Sequence, residues 1–259
     1  MYATERHDQI ERRLSELGRV SVVELARHFA VTSETIRRDL DHLESIGALR
    51  RVHGGALPAE NPSTTEPSLG ERLQRHGAAK TAIAARALDL LDEGRVGSLY
   101  FDAGTTTGAV AAGLGSRLGD RSIEVVTHAL SLAQTLVTLP DVSLTVIGGR
   151  LRGLTAAAVG SDTVRAVESL RPDIAFLGAN GVSAGFGIST PDPDEAAVKA
   201  AIVRAARRVV LVADAEKLGR ELLVSFAPLA AIDVLVTDAA PNPTLAAALA
   251  DAGVEVRVA

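Results

Sequence analysis

Apolar residues in the first fifty positions recur at helical spacing in three short groups. Ile10, Leu14 and Leu17 share one face of a charged stretch that stops at Gly18, which predicts a first helix. Ser21 stands as an N-cap before Val22, Leu25, Ala26 and Phe29, the apolar face of a second. After Ala30-Val31-Thr32 comes a third segment, residues 33–47. There Ile36, Leu40, Leu43 and Ile46 are expected to face inward and Gly47 to end the helix. Two helices joined by so short a turn make a helix-turn-helix. The next residues, 48–55, alternate briefly and finish on a glycine pair, the pattern of a hairpin wing.

From residue 78 the pattern changes. Short, continuously apolar runs at 98–102, 123–127, 143–147, 173–177, 209–213, 234–237 and 254–258 read as strands. Alanine-rich stretches near 78–92, 108–117, 129–138, 161–170, 193–207 and 243–252 read as helices. Strands of this kind alternating with helices predict an α/β domain with a mostly parallel sheet covered on both faces. Between the two patterns, residues 58–68 hold three prolines and four hydroxyl side chains without apolar periodicity, an expected exposed linker. The expected organisation is a small domain at 1–57, a linker at 58–68 and a large domain at 69–259.

Composition narrows the function classes. The 259 residues contain no cysteine, which excludes disulfides, thiolate metal sites and a cysteine nucleophile. No apolar run approaches a membrane span, and the charged N-terminus does not resemble a signal peptide, so an intracellular protein is expected. No two histidines lie at ligand spacing on one face, so neither a metal nor another cofactor is expected. Net charge is −5, yet it is unevenly placed. Residues 1–57 carry nine Arg against nine acids and are neutral, and residues 58–259 carry the whole deficit. Arginine outnumbers lysine 24 to 3, so placement says more than number.

On the third helix, Ser33, Glu34, Thr35, Arg37, Arg38 and His42 project away from the apolar stripe. A recognition helix offers its N-terminal residues to base edges, and an arginine can fork onto guanine or clamp a phosphate. Arg50, Arg51 and His53 on the wing are placed for the phosphate backbone or the minor groove. The competing reading is a protein-interaction module with solvated arginines, in which Arg37 simply pairs with Asp41. Single-stranded RNA is disfavoured for want of aromatic stacking platforms, since this stretch has Tyr2 and a core Phe29 alone.

In a parallel sheet, ligands bind at the C-terminal ends of strands. Five such loops carry polar residues. Asp102-Ala-Gly-Thr-Thr-Thr-Gly108 offers Asp102, Gly104, Thr105, Thr106 and Thr107 as an anion cradle at a helix start, with ordinary helix capping as the alternative. Gly148-Gly149-Arg150 opens the backbone, and Arg150 or Arg152 can meet a phosphate or merely face solvent. Gly178 lies in a third loop. Asp194-Glu195 leads a helix that contains Lys199, and Lys217 follows the strand at 209–213. Together they suit a small polyhydroxylated anion, with amides and lysines for phosphate and carboxylates for hydroxyls.

The run Val31-Thr-Ser-Glu-Thr-Ile-Arg-Arg-Asp-Leu40, followed by Leu49-Arg-Arg-Val-His-Gly-Gly-Ala56, resembles the DNA-binding signature of the DeoR family of bacterial transcriptional regulators. Thr32 stands where that family more often has Ser. The strand-end Asp-Ala-Gly-Thr-Thr, the Gly-Gly-Arg turn, the Phe-Leu-Gly strand and the late Asp-x-x-Lys resemble the same family's effector domain. His128 stands where the family usually has Asn. It is expected to cap the following helix, with ligand contact as the alternative. The resemblance implies a winged helix-turn-helix repressor of a carbohydrate operon, with an effector domain similar to ribose-5-phosphate isomerase. Its implied partners are double-stranded operator DNA, a phosphorylated sugar or polyol, and further copies of itself as a dimer or tetramer. The alternative is an isomerase-like enzyme with an added DNA-binding head.

Overall fold

The computed structural model describes residues 3–17, 19–58, 63–92, 96–119 and 121–259. Gly18, Tyr2 and residues 59–62 of the expected linker lie outside them. The chain divides into two compact units, Met1–Pro62 and Ser63–Ala259.

In the first unit, α1 (Ala3–Leu17) precedes a two-residue strand β1 (Val20–Ser21), α2 (Val22–Phe29), α3 (Ser33–Ser45), β2 (Leu49–Val52) and β3 (Gly55–Pro58). Ser21 caps α2 and Thr32 caps α3, each accepting from the amide three residues on. Ile10, Leu14, Leu25, Phe29, Ile36, Leu40, Leu43 and Leu49 form the core. The wing is an antiparallel β2–β3 hairpin turned at Gly54, whose φ of +84° favours glycine. It extends to Pro58, and β1 pairs on its other side. Two expected core positions differ. Leu17 is the last residue of α1 and is exposed, and Ile46 falls beyond the end of α3 with φ −95° and is exposed too. A periodic pattern stops meaning burial where the helix stops.

The second unit runs α4 (Leu69–Gln74), α5 (Gly77–Leu88), β4 (Ser98–Phe101), α6 (Thr105–Gly113), α7 (Gly115–Leu118), β5 (Ile123–Thr127), α8 (Leu130–Leu136) and β6 (Val142–Val146). There follow β7 (Arg150–Arg152), β8 (Ala157–Val159), α9 (Ser161–Glu168), β9 (Ile174–Gly178), β10 (Gly181–Ser183), β11 (Gly187–Thr190) and α10 (Pro193–Ala205). The chain ends with β12 (Arg208–Val212), β13 (Val224–Ala227), β14 (Val234–Thr237), α11 (Pro243–Asp251) and β15 (Glu255–Val258).

Seven strands form one parallel sheet in the order β15-β14-β12-β9-β4-β5-β6, and they are the seven expected from the apolar runs. Alternate residues serve opposite faces. Leu99, Phe101 and Phe176 pack with α5, α6 and α8, whereas Tyr100, Ala175 and Leu177 pack with α9, α10 and α11. From β4 the chain winds outward through β5 and β6, then returns to lay β9 on the other side of β4. The β4–β9 junction is therefore the topological switch point, where strand-end loops diverge and leave a crevice.

The expected linker is shorter than its composition suggests. Residues 63–68 belong to the second unit: Leu223 donates to the carbonyl of Ser63, and Ser68 and Glu71 close a capping box on α4. The Glu66 side chain is 1% exposed. Its two guanidinium partners, described below, draw it in despite the surrounding prolines.

Candidate functional site

At the switch point, a narrow, solvent-open cleft lies beyond the ends of β4, β9 and β12. Asp102, directly after β4, is 1% exposed. One oxygen, Oδ2, accepts from the Gly178 amide at 2.9 Å and from Lys199 Nζ at 2.5 Å. Lys199 reaches it from α10 and also donates to the Gly178 carbonyl at 3.0 Å, so one helix and the ends of two neighbouring strands meet at one ion pair. Oδ1 of Asp102 has no hydrogen-bond partner.

Gly104, Thr105, Thr106, Thr107, Gly178, Glu195, Lys199 and Lys217 line the cleft together. Helix α6 starts three residues earlier than its apolar pattern indicates, so the three threonines form its first turn. No side chain caps it at Gly104. Uncapped N–H groups and the positive end of a helix dipole favour an anion there. Glu195, 7% exposed, accepts from Thr155 Oγ1 and from Arg152 Nη1 at 3.2 Å.

Four cleft residues on the opposite wall carry no signal in strand-end loops. Arg72, Arg75, His76 and Lys80 come from α4 and the start of α5, before the first strand of the sheet. Lys80 is 7% exposed and donates to the carbonyls of Arg72 and Arg75, the latter at 2.6 Å. Burial lowers its pKa to about 8. The chain has three lysines, and all three line this cleft. That scarcity was the usable signal: an ammonium is a compact charge on a flexible stem, unlike the planar guanidinium used everywhere else. Asp214, at the end of β12, is 4% exposed, lines the cleft, and has an oxygen without a hydrogen-bond partner.

Asp102 is buried beneath the cleft and does not line it, and three more of the expected cleft residues lie elsewhere. Gly149 has φ +155°, and a Cβ on it would stand 2.1 Å from Thr163 Oγ1, so packing against α9 demands the glycine. Arg150 is exposed and pairs with Asp194. His128 is 3% exposed and sits behind Asp102. It does not cap α8, whose N-cap is Ala129 without a side-chain bond. Instead its Nδ1 lies 2.9 Å from the Tyr100 hydroxyl and its Nε2 lies 3.7 Å from Asp102 Oδ1. Burial holds the His128 pKa below its ordinary value, although the Asp102 charge pulls the other way. Burial and the same charge push Tyr100 well above the usual phenol range. The Tyr100 hydroxyl and the His128 Nδ1 share one hydrogen bond, in which the hydroxyl can donate or accept according to the imidazole tautomer.

In the first unit, Glu34, Arg37, Arg38 and His42 on α3, with Arg50 and His53 on the wing, are exposed, whereas Ser33 and Thr35 are half-buried in the first turn. Arg37 and Arg38 both approach Glu34, at 3.7 and 3.6 Å. Arg37 does not take the Asp41 partner that its spacing suggested. Asp41 pairs with Arg51, and the Arg51 amide donates to Glu44 at 2.8 Å, which fastens the wing to α3. Beneath the exposed face, Asp39 accepts from Arg6 at 2.6 and 2.8 Å and lies 2.9 Å from His7. Burial opposes its charge, but those bonds outweigh it and hold the carboxyl below its ordinary range.

Residues 6–61 match the DeoR-like helix-turn-helix domain, and residues 75–239 match the DeoR C terminal sensor domain. The chain is 38% identical over 256 residues to the HTH-type transcriptional regulator GlpR of Haloferax volcanii, covering 99% of this chain and 98% of that one. It is 32% identical over 259 residues to the glycerol-3-phosphate regulon repressor of Escherichia coli K12, covering all of both. Among solved structures, ribose 5-phosphate isomerase A of Methanocaldococcus jannaschii is similar over 54% of this chain and 53% of that one, with 17% identity and a TM-score of 0.39.

Proposed function

The chain belongs to the DeoR family of transcriptional regulators, and on that premise we propose that it represses a carbohydrate operon under the control of a phosphorylated sugar or polyol. The first unit reads operator DNA through α3, with Arg37 and Arg38 directed to base edges and the wing residues Arg50 and His53 to the backbone. The cleft at the β4–β9 switch point takes the ligand, and this is the observation that carries the reading. Its α6 N-terminus with Lys80 and Lys217 suits a phosphate, and Glu195 and Asp214 suit hydroxyls. A glycerol 3-phosphate-like ligand fits the name of the Escherichia coli relative.

A sensor rather than a catalyst is the better fit to the cleft. Asp102 is buried beneath the cleft with Oδ2 tied to Lys199 and Gly178, and Glu195 is tied to Thr155 and Arg152, which leaves neither poised to shuttle a proton. Operator recognition by paired half-sites calls for an oligomer, since one winged unit covers little DNA. Function on operator DNA places the protein in the cytoplasm. The test is a thermal-shift panel of glycerol 3-phosphate, fructose 1-phosphate and other sugar phosphates on the full chain. Binding of one raises the unfolding temperature by mass action, and no shift with any of them at millimolar concentration contradicts the reading.

A further inference from the structure

We propose that Arg152 is a positioning residue that couples the cleft to the segment leading toward the DNA-binding unit, with Glu66 as its grip on that segment. The proposal rests on the reading of the cleft as a ligand site. Arg152 stands behind the cleft wall at the end of β7 and is shared by three carboxylates. Its Nε meets Asp192 at 2.9 Å, and a single nitrogen, Nη1, meets both Glu195 at 3.2 Å and Glu66 at 2.7 Å. Glu195 lines the cleft. Glu66 belongs to the stretch that leads back to residue 62, and its other oxygen lies 3.4 Å from Arg72.

The two carboxylates share one positive charge, each taking one of the two N–H groups of Nη1. Glu66 and Glu195 are 1% and 7% exposed at the side chain, so water compensates little when a bond between them and Nη1 weakens. A ligand hydroxyl that donates to Glu195 draws its charge away from Arg152. The guanidinium then serves Glu66 more fully, and residues 66–74 are held more tightly. A second contact follows the same route, because Lys80 in the cleft holds the carbonyls of Arg72 and Arg75 at the end of α4. One cleft thus grips the lead-in segment by a side chain and by its backbone.

A double-mutant cycle on the full chain tests this without any ligand, using fluorescence anisotropy on an operator selected from random duplex. E195Q removes from Arg152 the charge that a ligand would draw away. It is expected to change the operator Kd at least fivefold in the Glu66 background and by less than twofold in the E66Q background, a coupling of ordinary allosteric size. R152K keeps the positive charge but loses the planar fork that serves all three carboxylates at once. It is expected to abolish the E195Q effect in the same way, which a merely structural role would not do. Equal E195Q effects in all backgrounds overturn the proposal. So does loss of native circular dichroism in both E66Q and R152K, since Arg152 is then a structural residue. Failure of the sugar-phosphate panel defeats the ligand reading instead and leaves this cycle standing.

Discussion

The Lys199 ammonium, on helix α10, lies 2.5 Å from the carboxylate of Asp102, which follows strand β4, and both side chains are nearly inaccessible to water. The pair fastens the two halves of the sheet at the point where they diverge. Removing one partner from such a pair strands the other charge in a poor solvent, at a cost of about 3–5 kcal/mol. Asp102→Asn is therefore expected to lower the thermal midpoint of the full chain, retain operator binding and lose the response to sugar phosphate. Unchanged stability together with an intact response contradicts the role given to the pair.

Arg37 and Arg38 are exposed and meet Glu34 only at long range, so neither supports the fold. Arg37→Ala and Arg38→Ala are each expected to reduce discrimination between operator and random duplex by roughly ten- to a hundredfold, the value of a bidentate base contact. Wild-type discrimination by both variants in a gel-shift series excludes α3 as the reading helix.

Much of this was legible beforehand. The central strands β4, β9, β12 and β14 are buried on both faces and so appear as continuous apolar runs, whereas the edge strands β6 and β15 are largely exposed and show through their spacing between helices. Strands β7, β8, β10, β11 and β13 are three or four residues long and take their shape from pairing partners, which a local pattern does not record. Helix α4 has no buried residue and hence no periodicity; its capping box and the Glu66 ion pairs hold it. The cleft followed the same division. Gly104, Gly178 and Lys217 come at or after strand ends and announce themselves there, but Arg72, Arg75 and Lys80 reach the cleft from helices that precede the sheet.

Lys80 gives the cleft a pH dependence. Its ammonium loses its proton at about 8, against about 10.5 for the unperturbed group, because burial penalises the charge. A phosphate monoester is already a dianion above pH 7, so the change across pH 8 belongs to the protein. Ligand affinity is expected to hold steady up to about pH 7.5 and to fall by up to about tenfold by pH 9, as the charged form that favours the anion is depleted. Calorimetric titration at pH 7 and pH 9 measures this, and in Lys80→Gln the difference should vanish. Affinity that rises with pH contradicts it.

Tyr100 orients His128 from behind the cleft. Tyr100→Phe leaves a buried imidazole nitrogen without its hydrogen-bond partner, which costs about 1–3 kcal/mol. A lower urea midpoint is expected, with a changed His128 tautomer in nitrogen-resolved NMR spectra. Wild-type stability and an unchanged tautomer show that the 2.9 Å contact carries no weight.

The central claim is that one chain joins operator recognition to a sugar-phosphate cleft. The most direct measurement is the operator affinity of the full chain, by anisotropy, with and without a saturating sugar phosphate from the binding panel. The Kd is expected to weaken at least fivefold with ligand in the wild type and to stay fixed in Lys217→Ala. A ligand that binds but leaves the operator Kd unchanged in the wild type contradicts it.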